Sequence, residues 1–114
     1  MEYNPPVIGI SGASSDSASV RAMMTQIRSA GAVPMLLSNH AARIARSGGS
    51  AVVAAREDLE KIDALIVMGN DGDINPARYG AEVHTATNIE KDAAREEYEF
   101  SALAQAISQR MPVL

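Results

Sequence analysis

Apolar residues are concentrated in four short blocks that are separated by longer mixed segments. The blocks cover residues 7–10, 33–37, 64–68 and 112–114. Each block is a continuous apolar run rather than an alternation of apolar and polar residues, and such runs are typical of strands that are covered on both faces. The pattern therefore predicts four strands of a parallel sheet that lies between layers of helices.

The segment after the first block has the periodicity of an amphipathic helix. Its apolar residues stand at the i, i+3, i+4 and i+7 positions: Val20, Met23, Met24 and Ile27. Asp16, Ser17 and Ser19 are N-cap candidates, and Gly31 is the C-cap candidate. These signals predict one helix between the first two strands.

A second helix is predicted over about residues 90–109. The helical spacing recurs there in an apolar set that we expect to face the core: Phe100, Leu103, Ala104 and Ile107. Acidic residues stand early in this segment and Arg110 stands late, as the helix dipole favours. The charged residues of the segment are expected to form its solvated face: Glu90, Lys91, Asp92, Arg95, Glu96, Glu97 and Glu99.

The segment between the second and third strands is less regular. One helix is predicted within residues 50–61, and the pair Gly48 and Gly49 is expected to join two short helices rather than hold a ligand. The alternation of strands and helices along the chain predicts a three-layer α/β fold with a mostly parallel sheet. Residues 1–114 are expected to be part of one domain without an internal boundary.

The composition narrows the classes of function. The chain has 114 residues, a formal net charge of -4 and no cysteine. The acidic balance argues against nucleic acid as a partner, because phosphate contacts need clustered Lys and Arg. No apolar stretch approaches the ~20 residues of a membrane span and no basic n-region precedes an apolar block, so no membrane is expected and the cytoplasm is the expected compartment. Without cysteine, these residues contain neither a disulfide nor a cysteine nucleophile.

The loops that follow the strands are the candidate sites, because ligands of a parallel α/β sheet bind beyond the carboxyl ends of its strands. After the first strand, the stretch from Gly9 to Ser15 offers glycines and hydroxyls to a phosphate, so a nucleotide-binding module is one interpretation. The stretch lacks the third glycine of a dinucleotide fingerprint and the Gly-Lys-Ser/Thr of a P-loop. A turn of small residues followed by a helix cap is the favoured interpretation.

The loop after the third strand carries the most information. Its glycines favour close backbone approach, and the consecutive N–H groups of Gly69 and Asn70 are candidate donors to an oxyanion. Asp71, Asp73 and Asn75 have a loose likeness to a calcium loop, but the terminal glutamate and the entering helix of an EF-hand are missing. No metal is therefore expected.

The chain has two histidines, His40 and His84. His40 follows the second strand and is a candidate base, but no serine stands in a G-x-S-x-G elbow that would build a triad with it. We expect both histidines to be bystanders.

A series of segments occurs in the order found in one family of hydrolases. In chain order these are residues 6–10 (PVIGI), 30–37 (AGAVPMLL), 62–69 (IDALIVMG), 73–76 (DINP) and 79–80 (YG). They are followed by Asp92, Arg95, Glu96 and Glu99 in the spacing D-x-x-R-D-x-x-E. The last segment, residues 111–114 (MPVL), is similar to the strand that leads into the family's G-I-C-R-G motif. On these motifs the whole chain resembles the class I glutamine amidotransferase-like hydrolases, in the γ-glutamyl-γ-aminobutyrate hydrolase branch of the cysteine peptidases.

The resemblance implies a flavodoxin-like fold and hydrolysis of a γ-glutamyl amide through a cysteine thioester, with no metal and no organic cofactor. It implies that the N–H of Gly69 or Asn70 donates to the oxyanion of the intermediate, with Asn70 standing where the family has a second glycine. The residues implied to support this loop are Asp73, Asn75, Pro76, Arg95 and Glu99.

The family's cysteine nucleophile is expected just after Leu114, with its histidine and carboxylate further on. We therefore expect the chain to be the N-terminal portion of a hydrolase domain that is inert until it binds the remainder of that domain. The competing interpretation is a non-catalytic binding or assembly module, either a nucleotide binder or a homodimer that pairs through its last strand.

Overall fold

Strands and helices alternate along the chain, as the hydrophobic pattern predicts. The computed structural model describes residues 4–12, 17–68 and 93–114. The strands β1 to β3 are Val7–Ser11, Val33–Leu37 and Ala64–Val67. The helices α1 to α4 are Ala18–Ser29, His40–Arg46, Ala51–Leu59 and Ala93–Ser108.

The three strands form a parallel sheet in the order β2-β1-β3. Residues 112–114 extend this sheet on the far side of β3, through a parallel bridge between Leu65 and Val113. The N–H of Leu65 donates to the carbonyl of Pro112, and the N–H of Leu114 donates to the carbonyl of Leu65, each at 2.9 Å. The fourth apolar block therefore lies beside β3 as a short strand-like segment.

Helices cover both faces of the sheet. Side chains of successive strand residues point to opposite faces, so Ile10 and Ile66 pack with Ile27 of α1 on one face. The other face carries the larger core under α3 and α4, with these buried residues: Leu37, Ala54, Ala55, Leu59, Ile62, Leu65, Tyr98, Ala102 and Ala106. This arrangement confirms the predicted three-layer α/β fold.

The ends of the helices agree closely with the cap signals. Ser17 is the N-cap of α1, and its hydroxyl accepts a hydrogen bond from the N–H of Val20. The C-cap is Ala30 rather than Gly31, and Gly31 follows it with φ +88°, the left-handed conformation that glycine favours after a helix. Gly48 and Gly49 join α2 to α3, as predicted.

The predicted core face of α4 is wrong for three of its four residues, whereas Leu103 is half-buried and packs against the core. Phe100 and Ile107 are 39% and 68% exposed, and Ala104 is also exposed. The buried face instead contains Tyr98, Ala102 and Ala106, which are four residues apart and so lie on one stripe of the helix. The two alanines let α4 approach α3 closely, whereas the periodicity of the larger apolar residues selects a different face.

The expected solvated charge face of α4 is also corrected. Arg95 and Glu96 are only 4% and 8% exposed, whereas Glu97 is exposed. Burial of a charged group is costly unless it is paired and hydrogen-bonded, so the buried charges of this helix indicate specific partners.

Close packing around β1 leaves no room for a side chain at Gly9. A Cβ atom on Gly9 would lie 2.7 Å from Cδ1 of Ile62 and 3.1 Å from Cδ1 of Leu37. We expect Gly9→Ala to lower the free energy of unfolding, measured in urea, by about 1–3 kcal/mol because the core is overpacked. The same change in an Ile62→Val background, which lacks Cδ1, will cost less. An equal cost in both backgrounds would contradict this explanation.

Candidate functional site

A group of polar side chains lies at the carboxyl edge of the sheet. Ser11 is the last residue of β1, His40 is the first residue of α2, and Arg95 and Glu99 lie on α4. We call these four residues the edge cluster. They come together because parallel strands end at the same edge of a sheet, where the helix that follows β2 also begins.

The edge cluster is a continuous chain of hydrogen bonds. The hydroxyl of Ser11 donates to Oε2 of Glu99 at 2.5 Å, and Nε2 of His40 lies 3.0 Å from Oγ of Ser11. Nε of Arg95 donates to the same carboxylate oxygen at 3.2 Å, and its Nη2 donates to the carbonyl of Met68 at 2.9 Å. The cluster therefore joins the ends of β1 and β3 to α2 and α4.

A second group, formed by Arg43, Asp58 and Tyr98, holds the end of β2 and is called here the anchor cluster. The carboxylate of Asp58 accepts from Nη1 of Arg43 at 3.2 Å and from the hydroxyl of Tyr98 at 2.7 Å. Arg43 also donates to the backbone carbonyls of Leu36 and Ser38, at 2.9 and 2.7 Å. The anchor cluster thus fixes the chain where β2 passes into α2.

The two clusters touch through their rings. The centroids of His40 and Tyr98 are 5.0 Å apart, with an angle of 53° between the ring planes. Within the described residues, every buried side-chain nitrogen and oxygen has a hydrogen-bond partner. The carboxyl edge of the sheet is therefore a built polar structure rather than a chance collection of charges.

Burial raises the pKa of the Tyr98 hydroxyl, and its hydrogen bond to Asp58 and the charge of that carboxylate raise it further. A phenolate would be desolvated and would face an anion, so the folded protein favours the neutral hydroxyl of Tyr98. Tyr98 therefore acts as a hydrogen-bond donor over the whole neutral range of pH.

This raised pKa predicts a loss of stability in alkali. Above pH 10, Tyr98 of the unfolded chain loses its proton while the folded chain keeps it, so the free energy of unfolding falls by up to about 1.4 kcal/mol per pH unit. Tyr98→Phe removes this contribution, and its curve between pH 9 and 11 will be less steep than that of the wild type. Urea unfolding at each pH measures both curves, and parallel curves would contradict the assignment.

Most of the site residues predicted from the sequence lie outside the described residues. These are Gly69, Asn70, Asp73, Asn75 and Pro76 of the loop after β3, together with Asp71 and His84. Of the set implied to support that loop, Arg95 and Glu99 are described, and both belong to the edge cluster.

The structure places His40 in the buried edge cluster, and its expected role as a bystander stays a prediction. It is 2% exposed, and both its ring contact and its hydrogen bond to Ser11 are buried. The sequence patterns also do not single out Arg43, Asp58 or Tyr98. A signal was present for His40 and Ser11, since polar residues that directly end or follow buried parallel strands lie at the ligand-binding edge.

The stretch from Gly9 to Ser15 has a packing explanation for its glycines. Gly9 lies against Ile62, and a Cβ atom on Gly12 would lie 2.8 Å from Cγ2 of Val20. The hydroxyl of Ser11 is bound within the edge cluster. Residues 13–16 lie outside the described residues, so nucleotide binding by this stretch stays a prediction.

In residues 4–12, 17–68 and 93–114, no three His, Cys, Asp or Glu side chains are grouped so as to hold a metal ion. No helix in this described part of the chain is long and apolar enough to cross a membrane.

Comparison with known proteins identifies the family. No curated protein matches the chain. The sequence model of one family, Peptidase C26, matches residues 6–114, which is nearly the whole chain. The matched region contains every strand and helix of the described residues and both polar clusters. The chain therefore belongs to the Peptidase C26 family, the class I glutamine amidotransferase-like cysteine peptidases.

Proposed function

We propose that this chain supplies the oxyanion-binding side of a γ-glutamyl amide hydrolase that acts through a cysteine thioester. Membership of the Peptidase C26 family supports hydrolase chemistry. The observation that carries the finer proposal is the 2.9 Å hydrogen bond from Nη2 of the buried Arg95 to the carbonyl of Met68. This carbonyl belongs to the peptide group that begins the loop after β3.

The hydrogen bond supports the proposal through the geometry of the peptide group. A peptide group is planar and trans, so its N–H points away from its C=O. Arg95 on α4 holds the Met68 carbonyl, and the proposal requires the N–H on the other side of this peptide group to face the substrate. A charged donor on the carbonyl also polarises the peptide group, which makes its N–H a stronger donor to an oxyanion.

In the proposed reaction, a cysteine thiolate attacks the γ-carbonyl carbon of the substrate. A C–S bond forms, and the negative charge that develops on the carbonyl oxygen is stabilised by the N–H of Gly69 or Asn70. The C–N bond then breaks and the amine leaves with a proton. Water hydrolyses the thioester, which releases glutamate and restores the thiol. Asp73, Asn75 and Pro76 have the proposed role of supporting the loop, as do Arg95 and Glu99.

The thiol in this scheme lies outside residues 1–114, which contain no cysteine. An apolar groove of about 260 Å³ beside residues 112–114 supports binding of the part of the hydrolase that carries the thiol. Its lining includes Ile8 and Ile66 of the sheet and Ile27 of α1. The chain alone will be inert, since loss of triad residues costs on the order of 10⁴ to 10⁶ in turnover.

The proposed compartment is the cytoplasm, where the reducing conditions keep a thiol free. The proposed substrate is a small γ-glutamyl amide, and neither nucleic acid nor a membrane takes part.

Reassembly tests the proposal. The chain is mixed with a polypeptide that carries the cysteine, histidine and carboxylate of a Peptidase C26 hydrolase, and glutamate release from γ-glutamyl amides is measured. We expect release from the pair, but none from either part alone or from a pair whose cysteine is replaced by serine. A stable pair that releases no glutamate would overturn the proposal.

A further inference from the structure

The edge cluster contains two residues that the proposed reaction does not use, Ser11 and His40. We infer that both are positioning residues for the peptide bond after Met68, and that they act by holding Glu99 and, through it, Arg95. A role of these residues in catalysis rests on the proposed function. The hydrogen bonds through which they hold Arg95 do not depend on it.

The number of protons available fixes that direction. Glu99 is paired with the guanidinium of Arg95, and an ionised carboxylate only accepts hydrogen bonds. Ser11 therefore gives its single hydroxyl proton to Oε2 of Glu99. Its oxygen has no second proton to offer His40, so Nε2 of His40 carries a hydrogen and donates it to Oγ of Ser11 across 3.0 Å.

The resulting chain of donors runs in one direction. His40 donates to Ser11, Ser11 donates to Glu99, and the carboxylate so held accepts from Nε of Arg95. The other arm of the guanidinium, Nη2, donates to the carbonyl of Met68. Because the guanidinium is a rigid planar fork, fixing its Nε also fixes the direction of Nη2.

Burial makes this series of hydrogen bonds sensitive to the loss of any one of them. Ser11, His40 and Arg95 are all less than 5% exposed, so water cannot replace a missing partner without reorganisation. A change at His40, on α2, is therefore transmitted to a backbone carbonyl at the end of β3. Neither residue touches the reacting atoms, and both act only through Glu99 and Arg95.

Two substitutions of His40 separate its donor from its packing. His40→Phe keeps an aromatic ring against Tyr98 but has no N–H, so it breaks the chain at its first link. His40→Gln keeps an N–H donor at a similar reach and is the conservative variant. Ser11→Ala breaks the second link, and Arg95→Met removes the last.

One NMR signal reports directly on the peptide bond concerned. Met68-Gly69 is the only Met-Gly pair in the chain, so labelling Met carbonyls with ¹³C and Gly amides with ¹⁵N gives a single cross-peak in a carbonyl-amide correlation spectrum. We expect His40→Phe and Ser11→Ala to move this peak in the direction that Arg95→Met moves it, and His40→Gln to leave it within its linewidth. A peak that stays in place in His40→Phe, or in Arg95→Met, would overturn the inference.

A second measurement needs no substitution and so does not depend on the folding of a variant. The ¹⁵N shifts of the His40 ring, assigned through its contact with Tyr98, show which nitrogen carries hydrogen. We expect a protonated Nε2, and a bare Nε2 would overturn the inference.

Both measurements use the 114-residue chain alone, so their result is separate from that of the reassembly assay. A responsive cross-peak with no glutamate release would leave the positioning roles standing and remove the proposed function. Glutamate release with an unresponsive cross-peak would support the hydrolase and remove the positioning roles of Ser11 and His40.

Discussion

Replacement of Asp58 by alanine will lower the free energy of unfolding by about 3–5 kcal/mol, the cost of removing one partner from a buried ion pair. The carboxylate of Asp58 receives hydrogen bonds from Arg43 and from Tyr98, and its side chain is only 9% exposed. Alanine leaves the guanidinium and the buried phenol hydroxyl without this acceptor. Urea unfolding followed by circular dichroism measures the loss.

The matched control for this change is the neighbouring residue on the same helix. Glu57 is exposed, and its described contact is a 3.4 Å hydrogen bond from Ser47. We expect Glu57→Ala to change the free energy of unfolding by no more than about 0.5 kcal/mol. Equal losses for the two variants would show that charge on α3, rather than the anchor cluster, determines stability.

Replacement of Arg95 by methionine will lower kcat of the proposed reassembled hydrolase by about 10-fold or more, with the 10² to 10³ for outright loss of an oxyanion donor as the upper bound, because Arg95 acts only through the Met68 peptide group. Methionine fills space on α4 but donates no hydrogen bond, so the carbonyl of Met68 loses the contact that holds it. The effect falls on the charge that develops in the transition state. KM for the γ-glutamyl amide will therefore change much less than kcat.

The control for Arg95→Met is the same arginine-to-methionine substitution on a different helix. Arg28 is an exposed arginine in the last turn of α1, so Arg28→Met removes an equal charge without touching the edge cluster. We expect its kcat to match that of the wild type. Circular dichroism of the Arg95→Met chain checks that it is folded, and a folded variant with unchanged kcat would contradict the proposed role of Arg95.

The strands are predictable from the sequence almost to the residue. The block at residues 33–37 is β2 as observed, because an apolar run between helical segments has few other ways to be buried. β1 continues one residue beyond its apolar block, to Ser11. That serine pairs in register with Leu37 and Val67, and its hydroxyl is satisfied by His40 and Glu99, which lie far away in the sequence.

The face of α4 was not predictable in the same way. Periodicity ranks residues by their own hydrophobicity, and on that scale Phe100 and Ile107 exceed Tyr98 and Arg95. The observed face is decided by partners on other elements: Asp58 for the hydroxyl of Tyr98 and the Met68 carbonyl for Arg95. Pairing of this kind depends on the tertiary fold, so no local pattern contains it.

The candidate site was predictable only through its place in the fold. The rule that sites lie at the carboxyl edge of a parallel sheet points to the loops that follow Ser11, Leu37 and Val67, and the edge cluster lies there. The rule does not say which polar residues are shared between those loops and a distant helix. The placement of His40 in the edge cluster is not predictable from its local sequence, because its ring partners come from β1 and α4.

The hydrogen bond between Ser11 and Glu99 joins residues that are 88 positions apart. Closing so long a stretch of chain is entropically costly and comes late in folding, after local helices and neighbouring strands have formed. During synthesis, β1 leaves the ribosome well before α4 is made, so the hydroxyl of Ser11 cannot bind Glu99 until then. We therefore expect the carboxyl edge of the sheet to be among the last of the described parts to reach its final structure.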